Sequence, residues 1–288
     1  VGLRTITVRG TELACLEAGE GPLALCLHGF PDTARTWRHL LPRLADAGFH
    51  AVAPFNRGYA PSAVPEDGFH QSGAVAADAN ALHEALGGDA DAVLVGHDWG
   101  AVAAYGAAGS APERWCRLTT LAIPPPNEMM AAFLGYDQLK LSWYIHVFQS
   151  PLAELLVTAD DLSFLDRLWQ DWSPGYDATE DLPAVKDALR GEGHLTAALG
   201  IYRASLGNAP LDADLAVEQA ACGALPPQPT HYLHGETDGC LSVVTARSCE
   251  RAFDRPGSRF EVLPEVGHWL HLEAPDAVND RIVDFLTT

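Results

Sequence analysis

The sequence predicts an α/β fold, with a mostly parallel central sheet flanked by helices and an inserted helical cap domain. Three observations carry this. Short strand-like apolar runs, with helical patterns between the later ones, fill the first 124 residues; the rhythm breaks after "LAIPPPN"; and it resumes at "THYLHGETD". Strands separated by helices imply βαβ units, which build parallel sheets covered on both faces.

The strand runs, in order, are "TITV", "LACLEA", "LALCLHG", "HAVAP", "AVLVGH" and "LTTLAI". Between them, "ARTWRHLLPRLADAG" and "SGAVAADANALHEALGG" read as helices, each ending in the glycine that commonly stops one. From residue 125 to 225 the chain carries helical stretches rich in Leu, Ala and aromatics. A structureless loop of that length does not fit a compact domain, so 125–225 is expected to be a helical cap and 1–124 with 226–288 the core. "RFEVLP" supplies a last strand and "PDAVNDRIVDFL" a closing helix.

Composition excludes several classes of function. Of 288 residues 48% are hydrophobic, which rules out a disordered or fibrous chain, and the length allows one large core plus an insertion. The formal charge of −20, with no cluster of Lys or Arg, repels phosphate backbones and anionic lipid heads. Neither nucleic acid nor membrane is therefore an expected partner. An anionic substrate would need a local cationic clamp. The six cysteines are scattered without C-x-x-C spacing and read as free, reduced thiols. With no signal-peptide profile at "VGLRTITVRG" and no apolar run of membrane-spanning length, a cytoplasmic protein is expected, monomer or homodimer.

The chemistry starts at "VGHDWGA". Gly96-His97-Asp98-Trp99-Gly100 has the spacing of the G-x-S-x-G nucleophile elbow, with an aspartate at its centre, between a strand and a helix. Asp98 could also be a plain helix N-cap. Against that stands the rest of the chain: Asp238 after a later strand, then His268 at a Gly-His turn, complete the order nucleophile, acid, base. His271 competes as base but lacks that turn. The other histidines form no H-E-x-x-H or similar spacing, so no metal or cofactor is expected. In "CLHGFPD" the Phe30 N–H, with that of Trp99, is a candidate oxyanion hole, although Gly29 and Pro31 also suit a simple turn. Trp37, Trp143, Phe148 and Leu152 are expected to line an apolar pocket, a role that competes with plain core packing.

"HGFP", "NRGYAPS", "GHDWGA", "GETDG" and "GHWLHLEAP", in this order and over nearly the whole chain, resemble the α/β-hydrolase-fold epoxide hydrolases, neighbours of the haloalkane dehalogenases. The resemblance implies Asp98 as nucleophile, His268 as base and Asp238 as its orienting acid. It further implies two cap tyrosines that hydrogen-bond the epoxide oxygen, and Tyr144 in "SWYIHVFQSP" and Tyr202 in "GIYRASLGN" stand in similar contexts. The substrate so implied is a small, neutral, apolar epoxide, attacked by Asp98 and released by water as a diol. One departure is "FNRGYAPS" where relatives read D-x-R-G-Y-G-x-S, which bears on a loop and not on the triad. Haloalkane dehalogenation shares the ester logic, and Trp99 could hold a halide; but Phe30 stands where that family commonly has Asn, and paired tyrosines have no use there. Fluoroacetate dehalogenation lacks its Arg, since Trp99 follows the nucleophile. A ligand-binding member of the fold without catalysis is the remaining alternative.

Overall fold

The computed structural model describes residues 1–288. Its single sheet contains β1 (Gly2–Val8), β2 (Thr11–Ala18), β3 (Leu23–Leu27), β4 (His50–Pro54), β5 (Val93–His97), β6 (Arg117–Leu121), β7 (Thr230–Gly235) and β8 (Arg259–Leu263). Their spatial order is β1-β2-β4-β3-β5-β6-β7-β8. The pairs β1·β2 and β2·β4 are antiparallel and all the others parallel. All eight strand runs read from the sequence are present.

The parallel centre is apolar on both faces because both are covered. Every residue of β3 and β5 is buried. Along β3, Leu25 and Leu27 join one core, while Ala24 and Cys26 join the other. On the first face lie α2 (Ser72–Ala85) and α3 (Trp99–Ser110), after α1 (Leu40–Asp46), which packs on the second. The "ARTWRHLLPRLADAG" segment is a short 3₁₀ turn, Ala34–Trp37, followed by α1 rather than one helix.

The cap begins at α4 (Pro126–Phe133) and continues through α5 (Tyr136–Leu141), α6 (Trp143–Phe148), α7 (Ala153–Trp172), α8 (Leu182–Arg190) and α9 (His194–Ser205). Non-helical backbone at residues 159–162 breaks α7 into two. A third apolar cluster, built around Phe148, Leu165, Trp169, Trp172 and Tyr202, joins cap to core. One boundary differs from expectation. Helix α10 (Ala216–Ala221), inside the segment assigned to the cap, packs against α2 and α3. Small residues allow it: a Cβ on Gly106 of α3 would fall 2.4 Å from Cys222 Sγ, and one on Gly109 3.1 Å from the Ala221 Cβ. The helical insertion therefore returns to the core before residue 225. The chain closes with α11 (Val243–Arg247), α12 (Leu270–Glu273) and α13 (Pro275–Thr287), the last on the α1 face. No helix is long and apolar enough to cross a membrane.

Candidate active site

Asp98 sits between β5 and α3 with φ 54° and ψ −123°, a left-handed backbone that a non-glycine residue adopts only under tertiary constraint. The sharp turn works because the backbones crowd here: a Cβ on Gly100 would meet the Leu27 carbonyl oxygen at 2.1 Å. Gly29 is required for a different reason. A Cβ there would fall 2.2 Å from Asp98 Oδ1, so only glycine lets the "HGFP" loop lie over the carboxylate.

That loop supplies a donor. The Phe30 N–H donates to Asp98 Oδ1 at 2.8 Å, and the Trp99 N–H also supports the carboxylate. Burial nonetheless dominates and pushes the Asp98 carboxyl up to about 6, opposed by His268 and by these two N–H groups. The other oxygen, Oδ2, accepts no hydrogen bond and lies 3.9 Å from His268 Nε2.

The imidazole is fixed from its far side. His268 Nδ1 donates to Asp238 Oδ2 at 2.9 Å, while Asp238 Oδ1 accepts the N–H groups of Cys240 and Leu241. Nε2 has no protein partner. Burial disfavours the imidazolium, yet the Asp238 carboxylate, its hydrogen bond and then Asp98 outweigh it and raise the His268 pKa. Thus Asp98, Asp238 and His268 are brought together from the ends of β5, β7 and β8. His271 is not among them: it bonds Thr36 Oγ1 and stacks on Trp37. His97, beside the elbow, bonds the His268 carbonyl from behind at 3.0 Å.

Several supporting groups have no sequence signature. The Trp172 carbonyl, at the end of α7, accepts the N–H of both Gly239 and His268 and so ties the two loops together. Glu273 accepts from Gly267 N–H and from Ser173 Oγ, holding the turn that precedes His268. In the "FNRGYAPS" loop, where Phe55 and Ala60 depart from the family pattern, Asn56 at the free position between Phe55 and Arg57 donates its side-chain amide to the His28 carbonyl at 2.6 Å and its N–H to His28 Nε2. The neighbouring Arg57 is buried in a two-armed pair with Asp78. Through Asn56 this loop braces His28, two residues before the Phe30 donor.

Above Asp98, Tyr144 of α6 and Tyr202 of α9 face one another with ring centroids 5.9 Å apart. Both are buried, which pushes both phenols well above their ordinary pKa. The Tyr144 hydroxyl contacts Cys240 Sγ at 3.3 Å; the Tyr202 hydroxyl has no hydrogen-bond partner. Asp98 and both tyrosines open on a cavity of about 540 Å³ with walls that include Val102, Ile123, Met129, Phe133, Ile145 and Leu241. No Lys or Arg lines it.

The expected pocket residues need correction. Trp37 is wholly buried in the core under α1, because its ring stacks on His271. Phe148 is buried behind the cavity, edge-on to Phe30 and Tyr202, and so supports the wall without forming it. Trp143 and Leu152 lie on the outer cap surface, 43% and 55% exposed. Residues of α4, whose apolar side chains gave no specific signal, line the cavity instead.

A carboxylate on a strained strand-turn-helix elbow, a backbone N–H on one of its oxygens and a hydrogen-bonded Asp-His pair on later strand ends give the arrangement of the α/β-hydrolase class. Residues 22–275 match the family model for the alpha/beta hydrolase fold, and the chain belongs to that family. Within it the chain is related to epoxide hydrolases. It is 31% identical to the AB hydrolase superfamily protein YfhM of Bacillus subtilis, over 98% of this chain and 96% of that one. It is 29% identical to epoxide hydrolase A of Mycobacterium tuberculosis, covering 99% and 97%. Among solved structures it resembles an epoxide hydrolase of Bacillus megaterium in complex with an inhibitor, with TM-score 0.82 and 27% identity over 99% and 100% of the two chains.

Proposed function

We propose that the protein is an epoxide hydrolase that opens an epoxide to a vicinal diol through a covalent ester on Asp98. The observation that carries this reading is a carboxylate at the elbow beneath two buried phenols, one of them without a partner. An epoxide carbon is saturated. A serine attacking it would leave an ether, which activated water does not readily cleave; a carboxylate leaves an ester. The enzyme then owns the carbonyl that the second step needs.

In the first step Asp98 Oδ2 attacks the ring carbon while Oδ1 stays on the Phe30 N–H. The ring oxygen departs as an alkoxide unless it receives a hydrogen bond, and Tyr144 and Tyr202 supply it. Their raised pKa keeps them protonated donors at neutral pH. In the second step His268 Nε2 takes a proton from water, which adds to the Asp98 carbonyl carbon; collapse breaks that carbon's bond to the diol oxygen, which takes the proton back from the imidazolium that Asp238 stabilises. The Phe30 and Trp99 N–H groups hold the oxyanion on Oδ1. Esterification helps this step, because it removes the Asp98 charge that raises the His268 pKa and so favours the neutral base. A mostly apolar cavity with the Asp98 carboxylate and no Lys or Arg suits a neutral epoxide rather than a carboxylate or phosphate substrate.

Single turnover of a styrene-oxide-like epoxide in heavy-oxygen water tests the scheme. The label should enter the Asp98 peptide, with the product diol carrying an old carboxylate oxygen. Label in the first-turnover diol and none in Asp98 overturns the ester route. Bromide release from a short bromoalkane, with no diol from any epoxide, transfers the assignment to dehalogenation.

A further inference from the structure

The cavity holds a donor that the proposed reaction does not use. Cys240, two residues beyond Asp238, is buried and lines the cavity beside Asp98. Its Sγ, a carboxylate oxygen of Asp98 and a ring nitrogen of His268 all lie within 4.8 Å of one another. We propose that Asp98, Cys240 and His268 form a site for a thiophilic divalent cation, Zn²⁺ foremost, and that its occupation reversibly silences the enzyme.

The donor set is one sulfur, one imidazole nitrogen and one carboxylate oxygen, which suits zinc and leaves a fourth position open. Bond lengths to a four-coordinate zinc put neighbouring donors roughly 3.3–3.6 Å apart. The His268 Nε2 to Asp98 Oδ2 separation is already 3.9 Å. Closure of the sulfur onto that pair therefore needs a shift of only about 1 Å.

The outer groups are also in place. Metal-bound histidines nearly always donate their other nitrogen to a carboxylate, which fixes the ring and directs the free lone pair. His268 does this through Nδ1 to Asp238 at 2.9 Å, and its Nε2 is buried with no protein partner. The Tyr144 hydroxyl, 3.3 Å from Sγ, can donate to a thiolate. The unpartnered Tyr202 hydroxyl opens on the same cavity and can hold a water in the fourth position. Binding displaces the Cys240 thiol proton, and the Nε2 proton where His268 carries one, to solvent. The thiolate and the Asp98 carboxylate then balance the two positive charges of the cation, which the buried site would otherwise hold uncompensated.

Binding rests on these donors alone; silencing rests on the roles proposed above for Asp98 and His268. The ligands are the nucleophile and the base, so metal and substrate exclude each other. Position 240 lies 142 residues from the elbow and 28 from the histidine, so no short spacing motif betrays the set.

Co²⁺ titration of the full chain tests the site without substrate. One equivalent should produce an intense thiolate-to-cobalt charge-transfer band that Zn²⁺ bleaches. Cys240→Ser and Cys240→Val should each lack the band, while Cys116→Ser, at the cysteine that is only half-buried, should keep it. Zn²⁺ should inhibit epoxide turnover competitively and a chelator should restore it. In both Cys240 variants the inhibition constant, measured against each variant's own metal-free rate, should rise by at least ~100-fold. A wild-type protein with no sulfur band, or inhibition unchanged in the Cys240 variants, overturns the site. A band in a protein that hydrolyses no epoxide leaves the site standing and removes only the proposed reaction.

Discussion

The floor and the roof of the cavity are held by different forces. Asp98, Asp238 and His268 stand at the ends of parallel strands, where ladder hydrogen bonds and tight turns fix the backbone. Tyr144 and Tyr202 stand on separate cap helices and are located by packing: Tyr202 lies edge-on to Phe30, Trp99, Phe148 and Tyr144. Backbone hydrogen bonds are directional and sequence-tolerant, whereas aromatic packing is set by the shape of every neighbour. The floor should therefore keep its geometry when the roof is altered. Backbone struts between core and cap are few: the Trp172 carbonyl receives the Gly239 and His268 N–H groups, and the Ala188 carbonyl receives the Ala60 N–H.

Removing the proposed nucleophile gives the largest expected effect. Asp98→Asn should lower epoxide turnover by at least ~10⁴-fold and leave no adduct in intact-mass spectra. His268→Gln divides the floor in two. Alkylation should survive while ester hydrolysis slows by about 10³-fold or more, so one substrate mass accumulates on the Asp98 peptide. A His268→Gln protein that forms no adduct where wild type turns over would sink the covalent scheme.

The roof comes next. Tyr144→Phe and Tyr202→Phe should each slow alkylation, and the double variant by about 10²–10⁴-fold, the usual worth of acid assistance. Ester hydrolysis, measured separately by pre-steady-state methods, should hardly change. An equal loss in both steps would mean that the floor does depend on the roof. Halide leaves without a proton, so undiminished bromide release by the double variant would mark a dehalogenase.

A pH profile separates the steps more finely. Burial raises the Asp98 carboxyl to about 6, so its ionised fraction falls as pH drops through that value. The alkylation rate should then fall about tenfold per pH unit on the acid side, below about pH 6. A rate that stays flat down to pH 4.5 would contradict a buried carboxylate nucleophile. The smallest effect is expected on the outer cap, where Trp143→Ala and Leu152→Ala should change alkylation by no more than about twofold. A larger loss would show that these exposed side chains close onto substrate.

The eight strand runs, the G-x-D-x-G elbow and the order Asp98, Asp238, His268 were legible in the sequence because each depends on local backbone demands. A strand buried on both faces needs continuous apolar residues, and an elbow packed against a neighbouring strand needs glycine at Gly100. The tyrosine pair was legible only through resemblance; nothing in "SWYIHVF" or "GIYRAS" requires the two rings to meet. Tertiary structure alone decided that Trp37 is core and not pocket wall, that α10 returns to α2 and α3, that Asn56 braces His28, and that the Cys240 sulfur lies with Asp98 and His268. The physical reason is the same in each case. Hydrophobic periodicity reports that a side chain is buried, but what it is buried against is set by contacts between segments far apart in the chain.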